Sequence, residues 1–117
     1  MIGRLAHYSI RARDLEVSIV FYTQALGLRL GPRPPFGFPG AWLDTGNDQM
    51  VHIIEAPVPP NMGQHFALLY ESVEDAVVYL REQGLQVTDP VVNGAGRHQA
   101  FVSDPWGNGI EIHGLPS

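Results

Sequence analysis

Asp104-Pro105-Trp106-Gly107-Asn108-Gly109-Ile110-Glu111-Ile112-His113 is the stretch on which the reading of this chain turns. Its first half is a turn: Asp-Pro opens it, and Gly107 and Asn108 tolerate positive φ. Its second half alternates, with Ile110 and Ile112 on one face of a strand and Gly109, Glu111 and His113 on the other. Glu111 is thus a carboxylate between two β-branched apolar neighbours. Such a group is costly to bury without a partner cation or metal. Alone, it fits an exposed edge strand whose polar face meets water.

The rest of the chain repeats the pattern. When the sequence is slid along itself, Leu5–Ile10 falls on Gly63–Leu68 and His7 lands on His65. At the same offset Leu15, Ile19 and Tyr22 land on Val73, Val77 and Leu80. One residue more sets Val51-His52-Ile53 on Ile110-Glu111-Ile112, and Trp42-Leu43 on Phe101-Val102. Identities are few, but polar and apolar positions agree, which marks an internal duplication. Two units are too few for a solenoid, which needs roughly three stacked repeats. A pseudo-twofold pair within one domain, residues 1–117, is the expectation.

The elements follow from periodicity and punctuation. Leu5–Arg11 reads as a strand with His7 and Ser9 on one face. Asp14 is an N-cap for a helix with the stripe Leu15, Ile19, Tyr22 and Leu26, stopped by Gly27. Strands are expected at Leu28–Leu30, Ala41–Thr45 and Met50–Ala56, the last two joined around Gly46-Asn47-Asp48. Pro57–Gly63 is a stiff linker. Beyond it come a strand at Gln64–Tyr70, a helix capped by Ser72 with Asp75 and ended by Gly84, a strand at Leu85–Val91, and a hairpin of Gln99–Ser103 with Gly109–His113. The fold class is α+β: two βαβββ modules, residues 1–56 and 62–117, related by a pseudo-twofold duplication and expected to form a metal-binding cleft.

The totals exclude several classes. Net charge −5, with seven Arg, no Lys and no basic cluster, argues against nucleic acid as a partner. The absence of Cys removes disulfides, thiolate nucleophiles and thiolate metal sites together. No apolar run reaches the roughly 18 residues of a membrane span and no signal-like apolar stretch follows Met1, so a cytoplasmic protein is expected.

Four polar residues occupy duplicated mid-strand positions: His7, His52, His65 and Glu111. Imidazoles with one carboxylate form an N/O donor set suited to a divalent metal such as Zn, Ni, Fe, Mn or Co. Glu111 and His52 are the candidates to move a proton. Phe36, Phe38 and Trp42 are placed to wall an apolar pocket, with ordinary core as an equal reading of Trp42. His98 reads as exposed, Glu55 as surface, and His113 as either lining the site or solvated. Arg13, Arg81 and Arg97 read as solvated charges.

On these residues the chain resembles the vicinal oxygen chelate superfamily, which includes glyoxalase I, bleomycin- and fosfomycin-resistance proteins, methylmalonyl-CoA epimerase and extradiol dioxygenases. The likeness is carried by His7, Asp14-Leu15, Phe21-Tyr22, Leu26-Gly27-Leu28, Val51–Glu55, His65 and Phe101–Glu111, and it spans essentially the whole chain. It implies a divalent metal on His7, His65 and Glu111, a small-molecule substrate chelated through two vicinal oxygens, lyase or isomerase chemistry, and a homodimer with sites at a module or subunit interface. A ring-cleaving dioxygenase and a bleomycin-resistance-type binding protein are the alternatives. His52 departs from the pattern, since glyoxalase I-like members carry Glu there and the epimerases Gln.

Overall fold

A computed structural model describes residues 1–115. Two compact units divide it, Met1–Pro59 and Pro60–Ser117, and the boundary falls inside the Pro-rich linker. Each unit has its own mixed four-stranded sheet and its own helix.

In the first unit, β1 (His7–Ala12) pairs in parallel with β4 (Gln49–Glu55). Antiparallel β3 (Gly40–Gly46) and β2 (Arg29–Gly31) complete the order β1-β4-β3-β2. The tight turn between β3 and β4 holds Asn47 and Asp48 at φ 53 and 61, which suits a two-residue hairpin. Strand β2 begins one residue later than expected, because Leu28 is buried and its N–H bonds Tyr22 O at 3.0 Å.

The helix α1 (Leu15–Val20) starts as the sequence requires, with Asp14 Oδ1 accepting from Val17 N at 3.1 Å. Glu55 is exposed as expected, but it does more than face water. Its Oε2 accepts from Leu15 N at 2.9 Å, tying the end of β4 to the first turn. The helix then widens into a π turn, Phe21–Ala25, before Gly27 at φ +80 ends it. Its fully buried positions are Ser18, Phe21, Tyr22 and Leu26, so Leu15 and Ile19 lie at the margin of the stripe.

The second unit repeats the plan with β5 (His65–Leu69), α2 (Val73–Glu82), β6 (Val91–Val92), β7 (His98–Ser103) and β8 (Gly109–Gly114), in the order β5-β8-β7-β6. Ser72 Oγ accepts from Asp75 N at 3.1 Å, and Val73, Val77 and Leu80 are buried as the pattern required. Register confirms the duplication. Trp42 is opposite His52 in one sheet, and Phe101 is opposite Glu111 in the other.

The strand expected over Leu85–Val91 is mostly absent. Only a bridge at Val87–Val102 and the two-residue β6 form. Side chains take the backbone's partners there: Arg81 donates to Val87 O and to Asp89 Oδ1, both at 2.8 Å, and Thr88 Oγ1 accepts from Phe101 N at 2.8 Å. Pro90 has no N–H to offer.

One face of each sheet is core. Val51 and Ile53 in β4, and Ile110 and Ile112 in β8, are buried, each Ile contributing about 1.5–3 kcal/mol. The residues between them, His52 and Glu111, are carried to the opposite face by alternation.

Candidate functional site

The turn that leads into β8 is built around a buried carboxylate. Asp104 Oδ1 accepts from the N–H groups of Trp106 and Asn108, both at 2.9 Å, and Asn108 Nδ2 donates to Asp104 Oδ2 at 2.8 Å. Gly107 takes the positive φ, +90; Asn108 serves through its side chain and does not share it. This turn delivers β8 in register, with Gly109 beside His65 and Glu111 beside Ala67. A Cβ on Gly109 would sit 3.0 Å from Asn61 Nδ2 and 3.2 Å from the His65 Cβ, so a side chain there would crowd the start of β5.

On the polar face of the second unit, His65, Glu111 and His113 form a chain. His65 Nε2 is 3.2 Å from Glu111 Oε1, and His113 Nδ1 is 2.6 Å from Glu111 Oε2. His65 Nδ1 lies 2.9 Å from Gly63 O. A carbonyl oxygen only accepts, so Nδ1 carries the proton, and in the neutral ring Nε2 turns its lone pair toward a carboxylate. Two acceptors facing each other are relieved by a proton or a cation between them. A backbone carbonyl fixing the tautomer of a histidine in this way is also the usual support of a metal-binding imidazole.

On the polar face of the first unit, three rings stack across β1, β4 and β3. The His7 and His52 centroids are 4.0 Å apart with planes 14° from parallel; His52 and Trp42 are 4.4 Å apart at 2°. Trp42 is therefore a wall, not core. His52 Nε2 is buried and has no hydrogen-bond partner. Burial of the ring, then the neighbouring His7 imidazole and the Arg33 guanidinium, pull the His52 pKa below the ordinary histidine value. His52 is accordingly neutral at pH 7.

These rings border a pocket of about 280 Å³ that also includes Ser9, Arg33, Phe36 and Phe38. Arg33 was not visible as a site residue in the sequence. The signal was its place between two prolines immediately before the aromatic loop.

The donor set tests well for a divalent metal in kind: imidazole nitrogens, a carboxylate, one tautomer fixed and one buried nitrogen unsatisfied. Among the described residues no group of three or more His, Asp or Glu side chains is arranged to hold an ion. An imidazole lone pair lies in the ring plane, so the near-parallel His7 and His52 cannot both point at one ion unless a ring turns.

His98 corrects an expectation. It is 8% exposed, not a surface residue, with Nδ1 2.9 Å from Glu74 Oε1 but out of line for a hydrogen bond. It stands at the start of β7, where alternation buries it with Ala100 and Val102. Arg81 is likewise engaged with Asp89 and the Val87 carbonyl.

Two βαβββ units, with His7 matched by His65 and His52 by Glu111, define a class, and comparison with known proteins agrees. Residues 4–112 match the Glyoxalase/Bleomycin resistance protein/Dioxygenase superfamily, and the chain belongs to it. Lactoylglutathione lyase of Salmonella typhimurium is 32% identical over 93% of this chain and 90% of its own length. The enzyme of the same name from Escherichia coli O157:H7 is 30% identical over the same shares. Among solved structures, a glyoxalase family protein from Bacillus anthracis superposes with TM-score 0.86 at 25% identity, covering 99% of this chain and 98% of its own. TnmS3, an antibiotic binding protein from Streptomyces sp. CB03234, gives 0.81 at 27%, covering 98% of both.

The ring stack makes a measurable claim. In metal-free protein the His52 imidazole, followed by NMR, will titrate below the ordinary value of 6.5, and His7→Ala will move it upward. Because the unfolded chain takes up the proton first, the His52 contribution to stability is lost as pH falls from about 6.5 through the folded pKa, and His52 adds no pH dependence above that window. A His52 that titrates at or above 6.5 contradicts the stacking account.

Proposed function

We propose that the protein is a metal-dependent enzyme that binds a small substrate through two adjacent oxygens and carries out lyase or isomerase chemistry. The observation that carries this reading is the His65–Glu111 pair, whose fixed tautomer sets a lone pair against a carboxylate. Such a pair is suited to a divalent ion such as Zn, Ni, Fe, Mn or Co. His7, His65 and Glu111 are the proposed ligands, and the family resemblance assigns the same three. His52, expected from sequence as a ligand as well as a base, is given the base role because its ring is parallel to His7, neutral and unsatisfied at Nε2.

When bound, the metal supplies a Lewis acid that steadies negative charge developing on the substrate oxygens. The chain's residues do the rest. His52 takes a proton from the substrate carbon and returns it, as a neutral imidazole can near pH 7. Glu111 is the second group able to hold that proton, with His113 hydrogen-bonded to its other oxygen. Trp42, Phe36 and Phe38 exclude water from the substrate's apolar part. The lactoylglutathione lyases at about 30% identity support lyase chemistry, since lactoylglutathione carries a carbonyl and a hydroxyl on adjacent carbons. A cytoplasmic location fits this reading. No helix among the described residues is long and apolar enough to cross a membrane.

Calorimetric titration of tag-free protein with Ni²⁺, Zn²⁺, Fe²⁺, Mn²⁺ and Co²⁺ is expected to give one ion per site, and His65→Ala to weaken that binding without removing it. A chain that binds none of the five sinks the metal reading. A second reading, a binding protein without metal chemistry, is favoured by the aromatic pocket and by the likeness to TnmS3; it predicts a melting temperature raised by an aromatic drug and unmoved by metal.

The ligands come from both units, and we place the chain in an isologous homodimer in which one protomer's His7 and His52 meet its partner's His65 and Glu111. Mixing equal amounts of His7→Ala and Glu111→Ala chains is then expected to restore about a quarter of the metal sites, since about half of the dimers are mixed and each has one intact and one doubly damaged site. No recovery on mixing, or a monomer by light scattering, contradicts the across-chain arrangement.

A further inference from the structure

The pocket of the first unit contains one feature that metal chemistry does not use. Arg33 Cζ lies 5.0 Å from the Phe36 ring centroid and 4.9 Å from that of Phe38, so the guanidinium rests on both rings. Gly40 packs against its other side: a Cβ there would fall 2.8 Å from Arg33 Nη2, 2.9 Å from Cζ and 2.6 Å from Ile53 O. The cation is therefore held in place by two aromatic rings and a glycine backbone. Among the described residues it has no carboxylate partner, whereas Arg29 pairs with Asp44 at 3.6 Å and Arg81 with Asp89 at 2.8 Å.

A fixed cation without a counter-ion, in a pocket walled by Phe36, Phe38 and Trp42, selects for an anion with a flat apolar body. The preference is local, since the chain as a whole carries net charge −5. At about 280 Å³ the space falls just below the roughly 300–1,000 Å³ typical of drug-sized ligands, which fits one or two fused rings.

We propose that this pocket takes an aromatic carboxylate, its ring against Phe36, Phe38 and Trp42 and its anionic group on the Arg33 guanidinium, and that Arg33 sets the substrate's charge specificity. The inference rests on the enzyme reading for the pocket's being the substrate's. Its test uses metal-free protein, so loss of metal binding and loss of anion selection are read separately.

The experiment is calorimetric titration of the metal-free full chain with 2-naphthoate, 2-naphthamide and 2-naphthylmethylammonium. Naphthoate is expected to bind about tenfold or more tighter than the amide, with the ammonium weakest. Arg33→Gln is expected to remove the carboxylate's advantage, and Arg33→Lys, which keeps the charge and loses the planar fork, to retain part of it. In wild-type protein, intermolecular NOEs from naphthoate to the rings of Phe36, Phe38 or Trp42 locate the ligand without any variant. Equal binding of carboxylate and amide, an undiminished preference in Arg33→Gln, or no NOE to these three rings overturns the proposal.

Discussion

Each sheet must bury one face, and everything chemical in this chain follows from what that leaves on the other. Val51 and Ile53, like Ile110 and Ile112, are held in the core by their helix, so the residue between each pair is forced outward. A slip of one residue in β4 or β8 would drive His52 or Glu111 into apolar packing and expose two β-branched apolar side chains. That cost fixes the register and, with it, the position of every polar group named above. The tight turn at Asn47-Asp48 and the Asp104-centred turn before β8 are the local devices that enforce it.

The two outward faces share a plan but differ in chemistry. In the first unit the residue opposite His52 is Trp42, and the two rings stack beside the Arg33 guanidinium. In the second unit Phe101 is opposite Glu111, and its ring stands nearly perpendicular to that of His65 with centroids 5.3 Å apart, but the carboxylate lies between two imidazoles. The same backbone plan thus carries different side chains in the two units: aromatic rings beside Arg33 in one, a carboxylate flanked by imidazoles in the other.

Most of the fold was legible because its signals are local. Alternation, the Asp14 and Ser72 caps and the glycines at positions 27 and 84 depend on near neighbours in sequence, and self-comparison exposed the repeat. The misreadings have two physical origins, a side chain displacing a backbone partner and a face being decided from afar. Leu85–Val91 looks like a strand until Arg81 and Thr88 take its hydrogen bonds. His98 reads as exposed beside Gly96 and Arg97, but its register on β7 puts it inward. At the site, His7, His52, His65 and Glu111 were legible as a set of polar residues at duplicated positions. The parallel stacking of His7 on His52 was not, since ring orientation depends on Trp42 across the sheet, and Arg33 came into view only with the aromatic loop folded around it.

The central claim is that residues displaced from two buried strand faces provide an imidazole–carboxylate shell for a divalent ion. X-ray absorption at the metal edge of cobalt-loaded protein tests it most directly. The account predicts a shell of nitrogen and oxygen donors with the multiple-scattering signature of two imidazoles, from His7 and His65, falling to one in His65→Ala. A spectrum of oxygen donors alone, unchanged by that substitution, would contradict it.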